Sequence, residues 1–252
     1  MTLKFLCLNL WCGGKLLEPL HAFLRQERPD VLAAQEVCES DDPTAPPNFR
    51  SSETLTRVLR HPHYSFSPAF RDLRPEGACE NGNAVFSRFP IRETHAVFYD
   101  VPYNSARRET NDSSDTPRNL QHAVIDVDGR TTVNVFNTQG VWGFDGEDNS
   151  RRLAMSETIV REITGKPRVI LAGDFNVREG TQTIAAIERR LTNVFKGERR
   201  TSFNMQHKTG GGFATAVVDF VFVSSDIRVL SHEAPDADVS DHQPLVCEFE
   251  VS

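Results

Sequence analysis

Seven residues with chemistry-bearing side chains interrupt stretches that are otherwise apolar: Asn9, Glu36, Asp174, Asn176, Asp219, Asp241 and His242. Asn9 shares a strand face with Phe5 and Cys7 in KFLCLNL, and Glu36 closes VLAAQE. Asp174 and Asn176 close VILAGDFN, Asp219 lies inside AVVDFVFV, and Asp241-His242 directly precede QPLVCEFEV. Burying even one ionised carboxylate without a partner costs several kcal/mol, so a chain that does so repeatedly has to supply partners. The simplest common partner is a hard divalent cation, which takes oxygen ligands from carboxylates and amides. Asp219 has a different natural partner in His242, because a buried carboxylate can hold an imidazole and fix its tautomer.

Each residue also has an ordinary reading. Asn9 alone is a structural amide, Glu36 a solvent-facing strand end, and Asp174 with Asn176 an Asx-turn leading into a helix. Asp219 alone fits an ion pair with one of many arginines, Asp241 a loop acid, and His242 a satisfied histidine. The shared explanation is preferred because all of them recur in the same kind of place, against strands of a layered fold.

Those strands are legible in the hydrophobic periods. KFLCLNL (4 to 10) and DVLAAQEV (30 to 37) read as buried strands, followed by strands at 64 to 70, 83 to 89 and 91 to 99. QHAVIDVDGRTTVNVFNTQGVW (121 to 142) reads as a hairpin turning at Asp128-Gly129, and further strands are expected at 168 to 173, 213 to 223, 226 to 230 and 244 to 251. Leu16, Leu17, Leu20, Phe23 and Leu24 fall at helical spacing. Other helices are expected at 50 to 60, at 150 to 164 with Ser150 as N-cap and Gly165 and Pro167 beyond its end, and at 181 to 190. The polar stretches 40 to 48 and 107 to 117 read as surface loops. Many strands with helices between them predict an α/β (α+β) fold of two sheets packed face to face with helices outside. No linker divides the chain, so residues 1 to 252 read as one domain.

Composition narrows the function classes. A net charge of −7 and a pI near 5.6 argue against coating nucleic acid by bulk electrostatics. They leave room for a nuclease, whose clustered acids are neutralised by a cation. Arg107-Arg108, Arg151-Arg152 and Arg199-Arg200 read chiefly as solvated faces. No apolar run approaches the roughly 20 residues of a membrane span, and the N-terminal run alternates like a strand rather than a signal peptide. Five scattered cysteines without a CxxC pair predict a reduced, cytoplasmic setting without stable membrane association. The eight histidines offer only His61 and His63 as a close pair, with no cysteine pair beside it, which is poor support for a zinc protein.

The order Asn9, QEV (35 to 37), GDFN (173 to 176), DFVFV (219 to 223) and SDH (240 to 242), with GNAVFSRFPI (82 to 91) between them, resembles the endonuclease/exonuclease/phosphatase superfamily. That superfamily includes pancreatic-deoxyribonuclease-like enzymes, AP endonucleases, inositol polyphosphate 5-phosphatases and sphingomyelinases. The resemblance runs from residue 3 to 251 and implies a four-layer α/β/β/α sandwich that cleaves a phosphoester with water, using Mg²⁺ or Mn²⁺. It implies Glu36 as main metal ligand with Asn9 and Asp241 near or in the same coordination sphere, one cation being the simpler expectation. Asp174 would orient or deprotonate the water and Asn176 would hold a phosphate oxygen. His242, held by Asp219, would contact the phosphate or act as base, and the proton acceptor is left open between Asp174 and His242.

The departure from the family pattern is Gln139 in VNVFNTQGVW, where many relatives carry a histidine and AP endonucleases a tyrosine. Glutamine donates a hydrogen bond but supplies no proton at neutral pH. A substrate whose leaving group needs only the metal is the favoured explanation; a slow enzyme, an engineered change, or a loop amide in a register shifted by one are the others. Trp142 and Phe144 are candidates for stacking on a base or sugar, or for core filling. The leading expectation is a phosphodiesterase acting on nucleic acid or a nucleic-acid adduct. The alternatives are an enzyme of inositol or sphingolipid phosphoesters, and a degenerate module that binds phosphate without turnover because of Gln139.

Overall fold

A computed structural model describes residues 1–75, 77–108, 115–208 and 212–251. In chain order these form β1 (Thr2–Asn9), α1 (Leu17–Glu27), β2 (Val31–Glu39), α2 (Ser51–Leu59), β3 (His63–Arg74), β4 (Gly77–Ser87), β5 (Ile91–Phe98) and β6 (Asn104–Arg108). There follow β7 (Asn119–Asp126), β8 (Thr132–Gln139), α3 (Ser150–Ile163), β9 (Val169–Asp174), α4 (Gln182–Glu188), β10 (Thr192–Asn193), β11 (Asp219–Val223), β12 (Ile227–Glu233) and β13 (Leu245–Val251). One sheet has the order β12-β13-β1-β2-β4-β3-β6, and the other β10-β11-β9-β8-β7-β5.

Alternation along the strands makes four layers from these two sheets. In β1, Leu3, Phe5 and Cys7 enter the core between the sheets, while Leu6 and Leu8, with Leu10 just after the strand, pack under α1 with Leu20 and Leu24. In the second sheet, Ile170 and Ala172 of β9 point inward, while Leu171 and Phe175 pack against Met155 and Ile159 of α3 and Ile184 and Ile187 of α4. The result is the α/β/β/α sandwich, with three apolar layers separating four layers of structure.

Most expected elements appear with shifted ends, and four differences have clear physical causes. The cap of α3 is Asn149, whose side chain accepts from Arg152 N, rather than Ser150. The strand expected at 213 to 223 is β11 alone, because residues 212–215 form a 3₁₀ turn. Asp219 is therefore the first residue of its strand rather than an interior one. The expected loop from 107 to 117 begins inside β6, an edge strand whose sequence has no apolar alternation, and its residues 109–114 lie outside the described residues. Two arginines read as solvated turn inward: Arg152 is fully enclosed and donates to Val141 O and Glu147 O, and half-buried Arg199 donates to Asp219 O. The side chains of Arg107 and Arg108 lie outside the described residues.

Candidate active site

The inward face of five strands changes chemistry at the same depth. Asn9 follows Phe5 and Cys7 on β1, Gln35 follows Val31 and Ala33 on β2, and Asp174 follows Ile170 and Ala172 on β9. Asn137 and Gln139 follow Val133 and Val135 on β8, while Asp219 precedes Val221 and Val223 on β11, which runs the other way. Strand pairing then assembles a polar row, since Asp219 lies opposite Asp174 and Asp174 opposite Gln139 in register. Across the gap, Asn9 is paired with Gln35.

Glu36 is aimed at this row by an irregular backbone. The β2–β4 register slips between Ala34 and Val37, and Glu36 itself has φ 56°. An extra residue in a left-handed conformation re-aims a side chain that strand alternation alone would send to the helix side. Trp11, Cys12 and Asn176 also have positive φ at the same end of the molecule. Gly173 and Gly140 serve close approach: a Cβ on Gly173 would lie 1.9 Å from Thr138 O, and one on Gly140 2.0 Å from Phe175 O.

Hydrogen bonds tie the expected residues together. Asn9 Nδ2 donates to Glu36 Oε1 at 3.2 Å and to Asp174 Oδ2 at 3.1 Å, while Cys12 N donates to Glu36 Oε2 at 2.6 Å. Asp174 Oδ1 accepts from Asn176 N at 3.0 Å, and Asn176 Nδ2 donates to Gly140 O at 3.2 Å. His242 Nδ1 lies 2.9 Å from Asp219 Oδ2, so that nitrogen is engaged and Nε2 is the one left for other work. Asp241 lies at the same rim, close enough to raise the His242 pKa, and its Oδ2 forms an ion pair with Lys208 Nζ at 2.9 Å. The tightest group of ligating atoms among the described residues is Asp174, Asp219 and His242, all within 4.8 Å of one another.

Gln139 is no loop amide. It ends β8, is buried, accepts from Arg118 Nη1 through Oε1 and donates to Glu36 Oε1 at 2.9 Å through Nε2. Arg118 is one residue that sequence reasoning passed over, and nothing in its local pattern distinguishes it from a strand-end arginine. Ser202, whose Oγ accepts from Asp219 N at 2.7 Å, and Lys208 were missed for the same reason. Ser240, visible in SDH, donates to Asn9 O at 2.6 Å and links the last loop to β1.

Beneath the row lies a layer of amides. Gln35 Nε2 donates to Asn137 Oδ1 at 2.7 Å, and Asn137 Nδ2 donates to Ala34 O at 2.9 Å and Ala84 O at 3.0 Å, joining the two sheets. Such a network separates the charged rim from the apolar core while leaving few polar groups unpaired.

Electrostatics follow from this crowding. Burial pushes the Asp174 carboxyl up to about 6; His242 opposes the shift, while Asp219 and Glu36 add to it. Burial alone would lower the His242 pKa, but Asp219, followed by Asp174 and Asp241, raises it to about 10. Burial also raises Glu36, yet the hydrogen bond from Cys12 N and the charges of Arg118 and His242 hold it below the usual range. Glu36, half-buried, and Asp174, Asp219 and Asp241, buried, thus bring four carboxylates to one rim. The three hydrogen bonds that Glu36 accepts leave about one of its roughly four lone pairs for a cation. The carboxylate oxygens fit a hard divalent ion, and Asn9 Oδ1, which accepts from Trp11 N at 3.0 Å, keeps a second lone pair. The groove of about 1050 Å³ between α1 and α2 is elsewhere, lined by residues such as Leu24, Val58 and Arg88.

The comparisons agree with this architecture. Residues 6–242 match the model of the Endonuclease/Exonuclease/phosphatase family, and the chain belongs to that family. Its members are phosphoesterases, hydrolases of phosphoester bonds. A structure of an endonuclease/exonuclease/phosphatase from Beutenbergia cavernae is 18% identical, with a TM-score of 0.76 over 100% of this chain and 72% of that one. A mannosyl-6-phosphatase from Bacteroides thetaiotaomicron is 18% identical, with a TM-score of 0.68 over 98% and 99% of the two chains. The human Nocturnin catalytic domain with bound sulfate is 15% identical, with a TM-score of 0.67 over 100% and 95%. At these identities the likeness shows the fold. No curated protein matches the sequence at a significant level. Among the described residues no helix is long and apolar enough to cross a membrane.

Proposed function

We propose that the chain is a divalent-cation-dependent phosphodiesterase, acting with water on nucleic acid or a nucleic-acid adduct. The observation that carries this reading is the convergence of Asn9, Glu36, Asp174, Asn176, Asp219 and His242, from five separated segments and both sheets, on one rim at the end of the cavity between the sheets.

Glu36 and Asn9, with Asp241 after release of Lys208, are the residues we assign to hold Mg²⁺ or Mn²⁺. When bound, the cation supplies Lewis-acid stabilisation of charge on phosphate oxygen. Asp174, fixed by Asn9 and Asn176, holds the attacking water and takes its proton. His242, with Nδ1 held by Asp219, presents Nε2 to a phosphate oxygen. Asn176 donates its amide N–H to the same group. Gln139 is bonded on both faces of its amide, so its role is to position Glu36 and Arg118 rather than to protonate a leaving group.

Aromatic groups at the same end support the nucleic-acid reading. Phe144 is exposed by 72% and stands edge-on to Trp142 at 4.6 Å, in the loop that follows Gln139. Trp11, in the turn that holds Glu36, packs 5.1 Å from His207. Exposed aromatic faces beside a phosphate site stack on bases with little regard to sequence.

The test is hydrolysis of bis-p-nitrophenyl phosphate and of DNA and RNA strands with Mg²⁺ or Mn²⁺, beside phosphoinositide and sphingomyelin. The expected result is turnover that EDTA abolishes and that favours the nucleic-acid substrates. Turnover confined to the lipid or inositol substrates would replace the substrate assignment. Phosphate binding without turnover, together with activity gained in Gln139→His, would replace the enzyme by a degenerate module.

A further inference from the structure

Two histidines 27 residues apart in sequence meet on the outer face of the second sheet, well separated in the fold from the carboxylate rim. His95 on edge strand β5 lies directly opposite His122 on β7, and their Nδ1 atoms are 3.3 Å apart. His122 is buried and stacks on Phe136 at 4.2 Å, whereas the His95 side chain is 47% exposed.

Their hydrogen-bond partners restrict where the protons sit. Asn134 Nδ2 donates to Pro167 O at 2.7 Å, which turns its Oδ1 toward His122 Nε2 at 2.9 Å. An amide oxygen only accepts, so His122 Nε2 carries the proton and, in the neutral ring, Nδ1 carries a lone pair. His95 Nε2 faces Glu162 Oε2 at 3.5 Å, a long contact that is attractive only when this nitrogen is protonated. A neutral His95 therefore has one proton for two positions. Placed on Nδ1, the proton serves His122 but leaves a lone pair against the Glu162 carboxylate. Placed on Nε2, it serves Glu162 but leaves two Nδ1 lone pairs face to face.

We propose that His95 and His122 chelate a divalent transition-metal ion of the zinc, nickel or copper class through their Nδ1 atoms. Two imidazole nitrogens bound to one tetrahedral zinc stand roughly 3.3 Å apart, since each bond is about 2.0–2.1 Å long. Each Nε2 is then directed at an acceptor, Asn134 Oδ1 or Glu162, as metal-bound imidazoles are oriented by an outer partner. The charged groups that bear on His122 are Lys166, which opposes a bound cation, and Glu162, which favours one. Solvent completes the coordination on the exposed side of His95. Imidazole donors select this class of ion, whereas the oxygen-rich rim selects a hard cation, so the two places take different metals. A bound ion would also tie edge strand β5 to β7.

The test is titration of Zn²⁺ into the full chain with Mg²⁺ in excess, read by calorimetry and by nitrogen NMR of the histidine rings. The expected result is one saturable site at which the Nδ1 signals of His95 and His122 shift while both Nε2 atoms keep their protons. His95→Ala, a change at an exposed position whose fold is checked by circular dichroism, should weaken that uptake by at least roughly tenfold, and Glu162→Gln by less. No uptake, uptake unchanged in His95→Ala, or a doubly protonated His95 that persists with Zn²⁺ present would each overturn the proposal.

Discussion

Between the same two sheets, one end of the gap is filled by Phe5, Val133, Ile170 and Phe249, and the other by Asn9, Gln139, Asp174 and Asp219. Both ends use the same strands and the same alternation of side chains. What changes is the residue type at each successive inward position, with the Gln35–Asn137 amide layer between. The apolar end loses solvent and gains stability. The rim places like charges side by side, Asp219 opposite Asp174, at a cost that the rest of the sandwich offsets. Stability and chemistry are therefore assigned to opposite ends of one cavity, and substitutions should separate them.

The largest effect expected is on turnover. Asp174→Asn should lower kcat by about 10²–10⁴-fold, as loss of a positioned acid or base does. The same variant should make the metal-free protein more stable. Because the folded pKa of Asp174 is raised to about 6, ionising it opposes folding: its stabilising contribution is complete below the unfolded value and is lost as pH rises through the folded one. The melting-temperature gain of Asp174→Asn should thus be largest above pH 6 and vanish toward pH 4, where the wild-type acid is also protonated. A variant that loses activity and stability together would break the division between the two ends.

Ile170→Ala, at the apolar end, should cost about 2–5 kcal/mol in denaturant unfolding while leaving kcat per folded molecule unchanged. Asn137→Leu tests the layer between. It removes the bonds to Ala34 O, Ala84 O and Gln35, and stranding those groups should cost about 1–3 kcal/mol. It should also lower kcat, through the tilt of β2 and β8 beneath Glu36 and Gln139. An unchanged kcat would confine the layer to stability.

The smallest effect concerns His61, away from the rim, whose Nε2 lies 2.9 Å from Pro29 O. Burial lowers its pKa below the ordinary value, so the unfolded chain binds the proton more readily and stability falls as pH drops below about 6.5. His61→Gln should flatten that acid limb of the pH–stability curve. An unaltered limb would assign it to other histidines whose folded pKa is lowered by burial, His122 or His21, instead.

The strands, the helix faces and the seven polar interruptions were legible because strand alternation and helical spacing are local, and a carboxylate in an apolar run is conspicuous wherever the chain goes. Pattern alone also paired Asp219 with His242 and placed Asp174 and Asn176 at a strand end. The slipped register that turns Glu36 inward, the Arg118 contact to Gln139, the Lys208 pair with Asp241, and the meeting of His95 with His122 were decided by the tertiary structure. Each depends on which strands are neighbours and in what register, and register is set by how two whole sheets bury their faces together, a sum over distant residues that no local window of sequence contains.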